Sequence, residues 1–309
     1  MKNIITILFV LFSIFTFAQT DDENFNNFLE LYNKEDFKGA MKAINKAIEA
    51  NPDSTSYLSS KAYLHYRMGN PTKAVLLYNE IIEVEPTSFN YNGRAIAYES
   101  MMMITEAKAN YLSAAKAATN DTIKYSMYSN LAAANMKIRK FQEAYDYLME
   151  AYAFDSTNIV VLNNLGTVCD EVGRGGETLK YLKKVVEINP EFIGGWVNIG
   201  FKLQMLEMYK ESLMYFDKAI ELDPTQAFAW NNRGYSKLKM EDYKGALKDI
   251  NKSLELYELN SYANRNRALV YIAQGKTKKA CEEIESAIAK GFVGMYGEEI
   301  LQLKAENCK

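Results

Sequence analysis

The sequence predicts an all-α solenoid, one two-helix unit repeated eight times. Three observations carry this reading. First, a small residue returns at a nearly constant interval: Ala40, Ala74, Ala107, Ala144, Thr178, Ser212, Ala246 and Ala280, with gaps of 34, 33, 37, 34, 34, 34 and 34. A small side chain at a fixed period marks a close helix-to-helix approach made again in every unit, because bulk would part the backbones. Second, apolar residues in each half of the unit fall at i, i+3, i+4 and i+7, the period of a helix with one buried face. Third, the punctuation recurs. Gly69, Gly173 and Gly275 lie between the halves, and Pro52, Pro86, Pro190 and Pro224 close units. Gly suits the left-handed residue that ends a helix, and Pro stops the helix before it. In such a fold, function is expected on an extended surface rather than in a catalytic pocket.

Numbering each unit 1 to 34, units five to seven begin at Ile159, Ile193 and Ala227. Position 4 is large (Leu162, Trp196, Trp230) and position 8 is Gly (Gly166, Gly200, Gly234). Position 20 holds the small anchor. Position 24 is large again (Leu182, Phe216, Ile250), and position 27 is small or modest (Val185, Ala219, Ser253). This pattern resembles the tetratricopeptide repeat, over about residues 21–292. The resemblance implies a right-handed α-α superhelix of eight helix pairs, A and B, with helix A lining the concave face. A capping helix is expected over 293–309.

The departures are informative. Unit one has Phe28 at position 8, and units three and four have Thr119 and Ser156 where Pro closes others. Gly175 and Gly176 stand at the start of helix B in unit five. Each lowers helix propensity by about 1 kcal/mol against Ala, so a soft helix start is expected. Three extra residues, Thr122, Ile123 and Lys124, separate units three and four. They predict a seam between segments 21–121 and 125–292. Three Asp-Ser or Asp-Thr pairs (Asp53-Ser54, Asp121-Thr122, Asp155-Ser156) are read as N-caps of the helices that follow.

At the N-terminus, an apolar run from Ile4 to Phe17 follows Lys2 and ends at Ala18. It is short for a membrane span and has the small residues a signal peptidase accepts, so residues 1–18 are expected to be a signal peptide cleaved after Ala18. The mature chain is then exported, periplasmic or secreted, with no membrane insertion. In an oxidising compartment Cys281 and Cys308 form a possible disulfide, stapling the capping helix to unit eight, with two free thiols as the alternative. Cys169 reads as a buried small hydrophobe. The charge is mixed, 36 basic against 39 acidic residues, so nucleic acid is not an expected partner.

The candidate binding residues form a row. Position 6 is Asn in five consecutive units: Asn130, Asn164, Asn198, Asn232 and Asn266. Asn26 matches in unit one, whereas Ser60 and Gly93 break the row. A side-chain amide donates and accepts, so amides spaced along a groove can hold the backbone of an extended peptide. Related repeats with such a row use it in this way. Phe201, Phe228, Tyr235 and Tyr262 lie beside it, with Asn163, Asn231 and Arg265 at position 5. The alternative is that the amides bond neighbouring helices and the aromatics pack. The carboxylate clamp of chaperone-binding relatives needs Lys at position 5 and Asn at position 9, and neither occurs here. Arg94, Arg233 and Arg267 at position 7 read as structural, as does the lone His65.

No zincin motif, phosphate-cradling loop or nucleophile elbow is present, and no metal or cofactor is expected. The sequence therefore describes a non-enzymatic binder of a protein or peptide, its ligand in the concave groove of units four to eight. A structural subunit of a cell-envelope assembly is the rival. Glycan or cell-wall binding through the same aromatics is the weaker alternative.

Overall fold

The A and B halves of the units form helices of nearly constant length. In the computed structural model, which describes residues 22–308, they are joined by tight turns. The A helices are α1 (Glu23–Asn33), α3 (Thr55–Arg67), α5 (Ser88–Ser100), α7 (Asp121–Lys137), α9 (Ile159–Val168), α11 (Ile193–Met205), α13 (Ala227–Lys239) and α15 (Ser261–Ala273). Their B partners are α2 (Phe37–Ala50), α4 (Pro71–Val84), α6 (Ile104–Lys116), α8 (Phe141–Phe154), α10 (Thr178–Ile188), α12 (Tyr209–Leu222), α14 (Tyr243–Leu256) and α16 (Thr277–Ala289). Two further helices follow, α17 (Phe292–Tyr296) and α18 (Glu299–Asn307). The described residues contain no strand, and the architecture is a solenoid of consecutive helix pairs. The expected signal peptide, residues 1–18, lies outside the described residues.

The periodic positions are the core. Every small anchor at position 20 is buried, as is every large residue at position 24: Ile44, Tyr78, Tyr111, Leu148, Leu182, Phe216, Ile250 and Ile284. Position 27 is equally buried, from Ala47 to Ala287. The Gly at position 8 explains itself sterically. A Cβ on Gly200 would lie 2.7 Å from the Phe216 ring, and one on Gly234 would lie 2.7 Å from Ile250. Only hydrogen lets helix A approach that close to the position-24 side chain. In unit one, Phe28 takes this place and stacks on Phe25, with ring centroids 5.4 Å apart.

Every A–B turn closes in the same way. The residue at position 15 has a φ between 58° and 78° in all eight units. It is Gly in three of them, but Glu35, Met102, Arg139, Glu207 and Glu241 in the others. The N–H of position 16 donates to the carbonyl of position 11 in each unit, at 2.8–3.0 Å. This 6→1 bond satisfies a carbonyl that the end of helix A leaves open.

The chain separates into two compact units, one ending at Asn164 and one beginning at Leu165, the boundary falling within α9. In the first, each helix from α1 to α8 packs on the next, and α5 also meets α3 and α7. In the second, the helices from α10 to α16 pack in series, and α13 also meets α11 and α15. The A helices so form an inner layer within each unit.

Residues 122–124, where a seam is expected, lie inside α7. That helix has 17 residues against 13 in α3 or α5, so the insertion adds a turn at its free N-terminal end. The soft start at Gly175 and Gly176 takes a definite form. Seven B helices begin at position 17, but α10 begins at position 20 with Thr178. Of the three expected Asp-Ser/Thr caps, only Ser54 caps its helix, accepting from the Tyr57 N–H at 3.4 Å. Asn120 and Asn158 cap α7 and α9 instead, because each stands one residue before its helix.

Candidate functional site

Helix A carries its position-6 residue on the inner layer, and the amides of that row differ in what they touch. In the second compact unit, Asn266 is fully buried and its Nδ2 donates to Asn231 Oδ1 at 3.0 Å. Asn231 Nδ2 donates in turn to Asn232 Oδ1 at 3.3 Å. Arg265, only 8% exposed, donates from its terminal nitrogen to Asn266 Oδ1 at 2.8 Å. The guanidinium also holds Glu299 of α18, with Nε 3.2 Å from the carboxylate. Arg265, Asn266, Asn231 and Asn232 thus form a relay across α15 and α13. Asn266 and Arg265, both in the expected binding set, are buried within this relay.

The first compact unit repeats the motif once. Asn130 Nδ2 donates to Asn92 Oδ1 at 3.0 Å, position 6 of one repeat to position 5 of the one before. Asn164 is half-buried, with no protein partner for its side chain among the described residues. Asn198 and Asn232 are half-buried in the second unit. The backbone carbonyl of Asn232 accepts from Gln204 Nε2 at 2.6 Å, which fixes α13 against α11.

The aromatics divide similarly. Phe201 on α11 is 48% exposed and Phe228 on α13 is 47% exposed. Large apolar surface left open in this way is available to a partner. Phe228 leans on Tyr257, centroids 6.0 Å apart. Tyr235 is half-buried, 6.4 Å from the Tyr209 ring, with the Arg265 guanidinium 5.7 Å from its centroid. Tyr262 stacks on Phe292 at 5.7 Å and meets Tyr296 edge-on at 5.0 Å. Burial pushes its hydroxyl above the usual tyrosine range. Tyr262 is therefore largely part of the packing of α17.

Two arrangements escaped the sequence. The position-7 arginines each bridge position 23 of their own repeat and position 25 of the repeat before. Arg94 holds Asn110 and Asn79 at 2.7 and 2.8 Å. Arg233 holds Asp249 and Asp217, both at 2.7 Å. Arg267 holds Glu283 and Asn251 at 2.8 and 2.9 Å. The signal was present as polar residues 16 positions after each Arg and 15 or 16 before it. The second arrangement is a tyrosine cluster in the first unit. Arg67 lies 5.4 Å from the Tyr32 centroid and donates to its hydroxyl at 2.6 Å, while Tyr63 stands between Tyr32 and Tyr66 at 6.2 and 5.7 Å.

Cys281 and Cys308 are bonded, their Cα atoms 5.6 Å apart. Cys169 is a free buried thiol, which burial pushes up to about 11. Among the described residues no group of three or more His, Cys, Asp and Glu is gathered as a metal would need, and no helix is long and apolar enough to cross a membrane.

Comparison with known proteins places this geometry. Tetratricopeptide repeat models match residues 25–89 and 215–248. Among solved structures, the chain is similar to one in the crystal structure of the APC/C hetero-tetramer Cut9–Hcn1. The identity is 16% and the TM-score 0.65, over 86% of this chain and 52% of that one. The present chain thus spans about half the length of that relative. It is also similar to a tetratricopeptide repeat protein from Parabacteroides merdae, at 15% identity and a TM-score of 0.50, over 92% of this chain and 98% of that one. No curated protein matches the sequence. Tetratricopeptide repeats are thus matched at residues 25–89 and 215–248, within a solenoid of consecutive helix pairs, a scaffold suited to protein–protein interaction.

Proposed function

We propose that the protein is a non-enzymatic, exported scaffold that holds an extended segment of a protein partner on its A-helix layer, chiefly in the second compact unit. The observation that carries this is Phe201. It stands nearly half exposed on α11, three residues after Asn198 and one turn before Met205, which is 57% exposed. The core leaves Phe201 and Met205 largely exposed, whereas their neighbours Ile199 and Leu203 are buried. One repeat on, Asn232 and Phe228 offer the same pairing of amide and ring. The amides would bond a peptide backbone and the rings would take apolar side chains. Asn130 and Asn164 offer the equivalent amides in the first unit. The residues involved are mostly neutral, so binding should depend little on salt.

The apolar run before Ala18 supports the export in this reading, and the disulfide is compatible with it. The full mature chain and the Asn198→Ala/Phe201→Ala/Asn232→Ala variant, both shown to fold by circular dichroism, would be used to capture partners from a cell-envelope extract. Loss of a specific partner with the variant is the expected result. Equal capture by both proteins would turn the reading to the structural-subunit alternative, which uses other faces.

A further inference from the structure

We propose that the Cys281–Cys308 disulfide is a latch: a dithiol reductant that opens it releases α18 and uncovers Arg265 and Asn266. The helix α18 takes the place a ninth helix A would occupy, and Glu299 stands 34 residues after Arg265, one full repeat. Its own hold is slight. It has nine residues, too few for a helix to persist without packing, and only Ile300 is buried. Leu303 and Cys308 pack partly on the cluster of Ala268, Ile284, Ala287 and Phe292. The ion pair of Lys304 and Glu285, at 2.7 Å, joins two side chains that are both well exposed, and such pairs hold little. The remaining ties are the contact of Glu299 with Arg265 and the covalent bond.

The neighbourhood allows release. Gly291 and Gly297 bracket α17 with φ of 80° and 89°, conformations that other residues rarely adopt, and they provide two pivots. The disulfide opens onto a cleft of about 530 Å³ lined by Thr277, Lys278, Glu282 and Glu285, so a reductant can reach it. The thiolate of a dithiol attacks one sulfur and the S–S bond breaks, the departing cysteine taking a proton. The second thiol of the reductant then resolves the mixed disulfide. Cys281 and Cys308 end as thiols and the reductant as a disulfide, a two-electron exchange. When α18 leaves, Arg265 loses Glu299, and the relay through Asn266 to Asn231 gains a solvent-facing end. The use of this opening as a gate on ligand access rests on the groove reading above; the opening itself does not.

The test is hydrogen–deuterium exchange on the full mature chain, oxidised, reduced with dithiothreitol, and as the Cys281→Ser/Cys308→Ser variant. Amides 299–307 are expected to exchange at least tenfold faster in the last two, with α11 to α14 unchanged. Phenylglyoxal should modify Arg265 only in those two forms. Glu299→Gln in the oxidised chain should leave α18 protected. Unchanged exchange on reduction overturns the latch, as does equal loss of protection in α15 and α16, or release by Glu299→Gln alone. For the gate, partner capture is repeated with the Cys281→Ser/Cys308→Ser variant. Altered capture supports gating. Unchanged capture with α18 free overturns the gate and leaves the latch standing, and neither result bears on what the Asn198→Ala/Phe201→Ala/Asn232→Ala variant reports.

Discussion

Asn266 donates its side-chain amide to Asn231, 35 residues earlier, at 3.0 Å, and Asn130 does the same to Asn92, 38 residues earlier, at the same distance. The difference of three is the insertion at residues 122–124. Because the inserted turn extends α7 at its N-terminal end, the register from α7 to α5 is kept. The same two positions bond in both places, so part of the asparagine row is a device for stacking A helices. The residues of the row should accordingly respond differently to substitution. Asn266→Ala leaves Asn231 Oδ1 and the Arg265 guanidinium short of a buried partner and should lower stability by about 1–3 kcal/mol in urea denaturation. Asn232→Ala, at a half-buried site, should cost less and act on partner capture.

The left-handed residue at position 15 offers a gain. Glu207 and Glu241 hold φ of 59° and 63°, where a Cβ is unfavourable. Glu207→Gly and Glu241→Gly should each stabilise the fold by about 0.5–1 kcal/mol, seen as a higher Tm. Gly275→Ala, with a native φ of 68°, should lower it.

Arg233 is the costliest of the position-7 arginines to remove. Its partner Asp249 is fully buried and, among the described residues, is otherwise held by Lys237 alone, at 2.7 Å. Arg233→Ala should destabilise by about 3 kcal/mol, the lower end of what breaking a buried ion pair costs, because Lys237 remains. Arg94, whose partners are the neutral amides of Asn110 and Asn79, should matter less. Denaturant melts of the two variants provide the comparison.

His65 makes stability sensitive to acid. Burial, then the charges of Lys73 and Lys61, hold its imidazole below the ordinary 6.5, and its buried Nδ1 has no hydrogen-bond partner. The unfolded chain therefore takes up this proton at a higher pH than the folded chain. Stability should fall as pH drops below about 6.5 and level off below the lowered folded value. His65→Gln should flatten the Tm against pH curve in that window.

The three cysteines should be distinguishable by thiol titration. The oxidised native chain should show no reactive thiol at pH 8, because Cys169 is buried with its pKa pushed up to about 11. One thiol should appear on unfolding, and three after reduction under denaturing conditions. A reactive thiol in the native oxidised chain would contradict the burial of Cys169.

The sequence by itself determined the helix pairs and their contacts. The small anchors from Ala40 to Ala280, the large residues from Ile44 to Ile284 and the glycines at 166, 200 and 234 recur at a nearly constant interval, and similar local packing problems admit one solution repeated. Only the tertiary structure decided which polar groups remain for a partner. Asn266 and Asn232 occupy the same position in their repeats. The first is buried and bonded to Arg265 and Asn231, while the second is half-buried. Hydrogen bonds between side chains 35 residues apart, and arginines that bridge helices of two repeats, depend on the relative placement of neighbouring units. The five non-glycine residues at positive φ depend on it too: packing of helices A and B imposes the turn even where residues such as Glu241 disfavour it. A periodic pattern specifies that units stack, but the fate of each polar side chain is set by the neighbours that stacking brings.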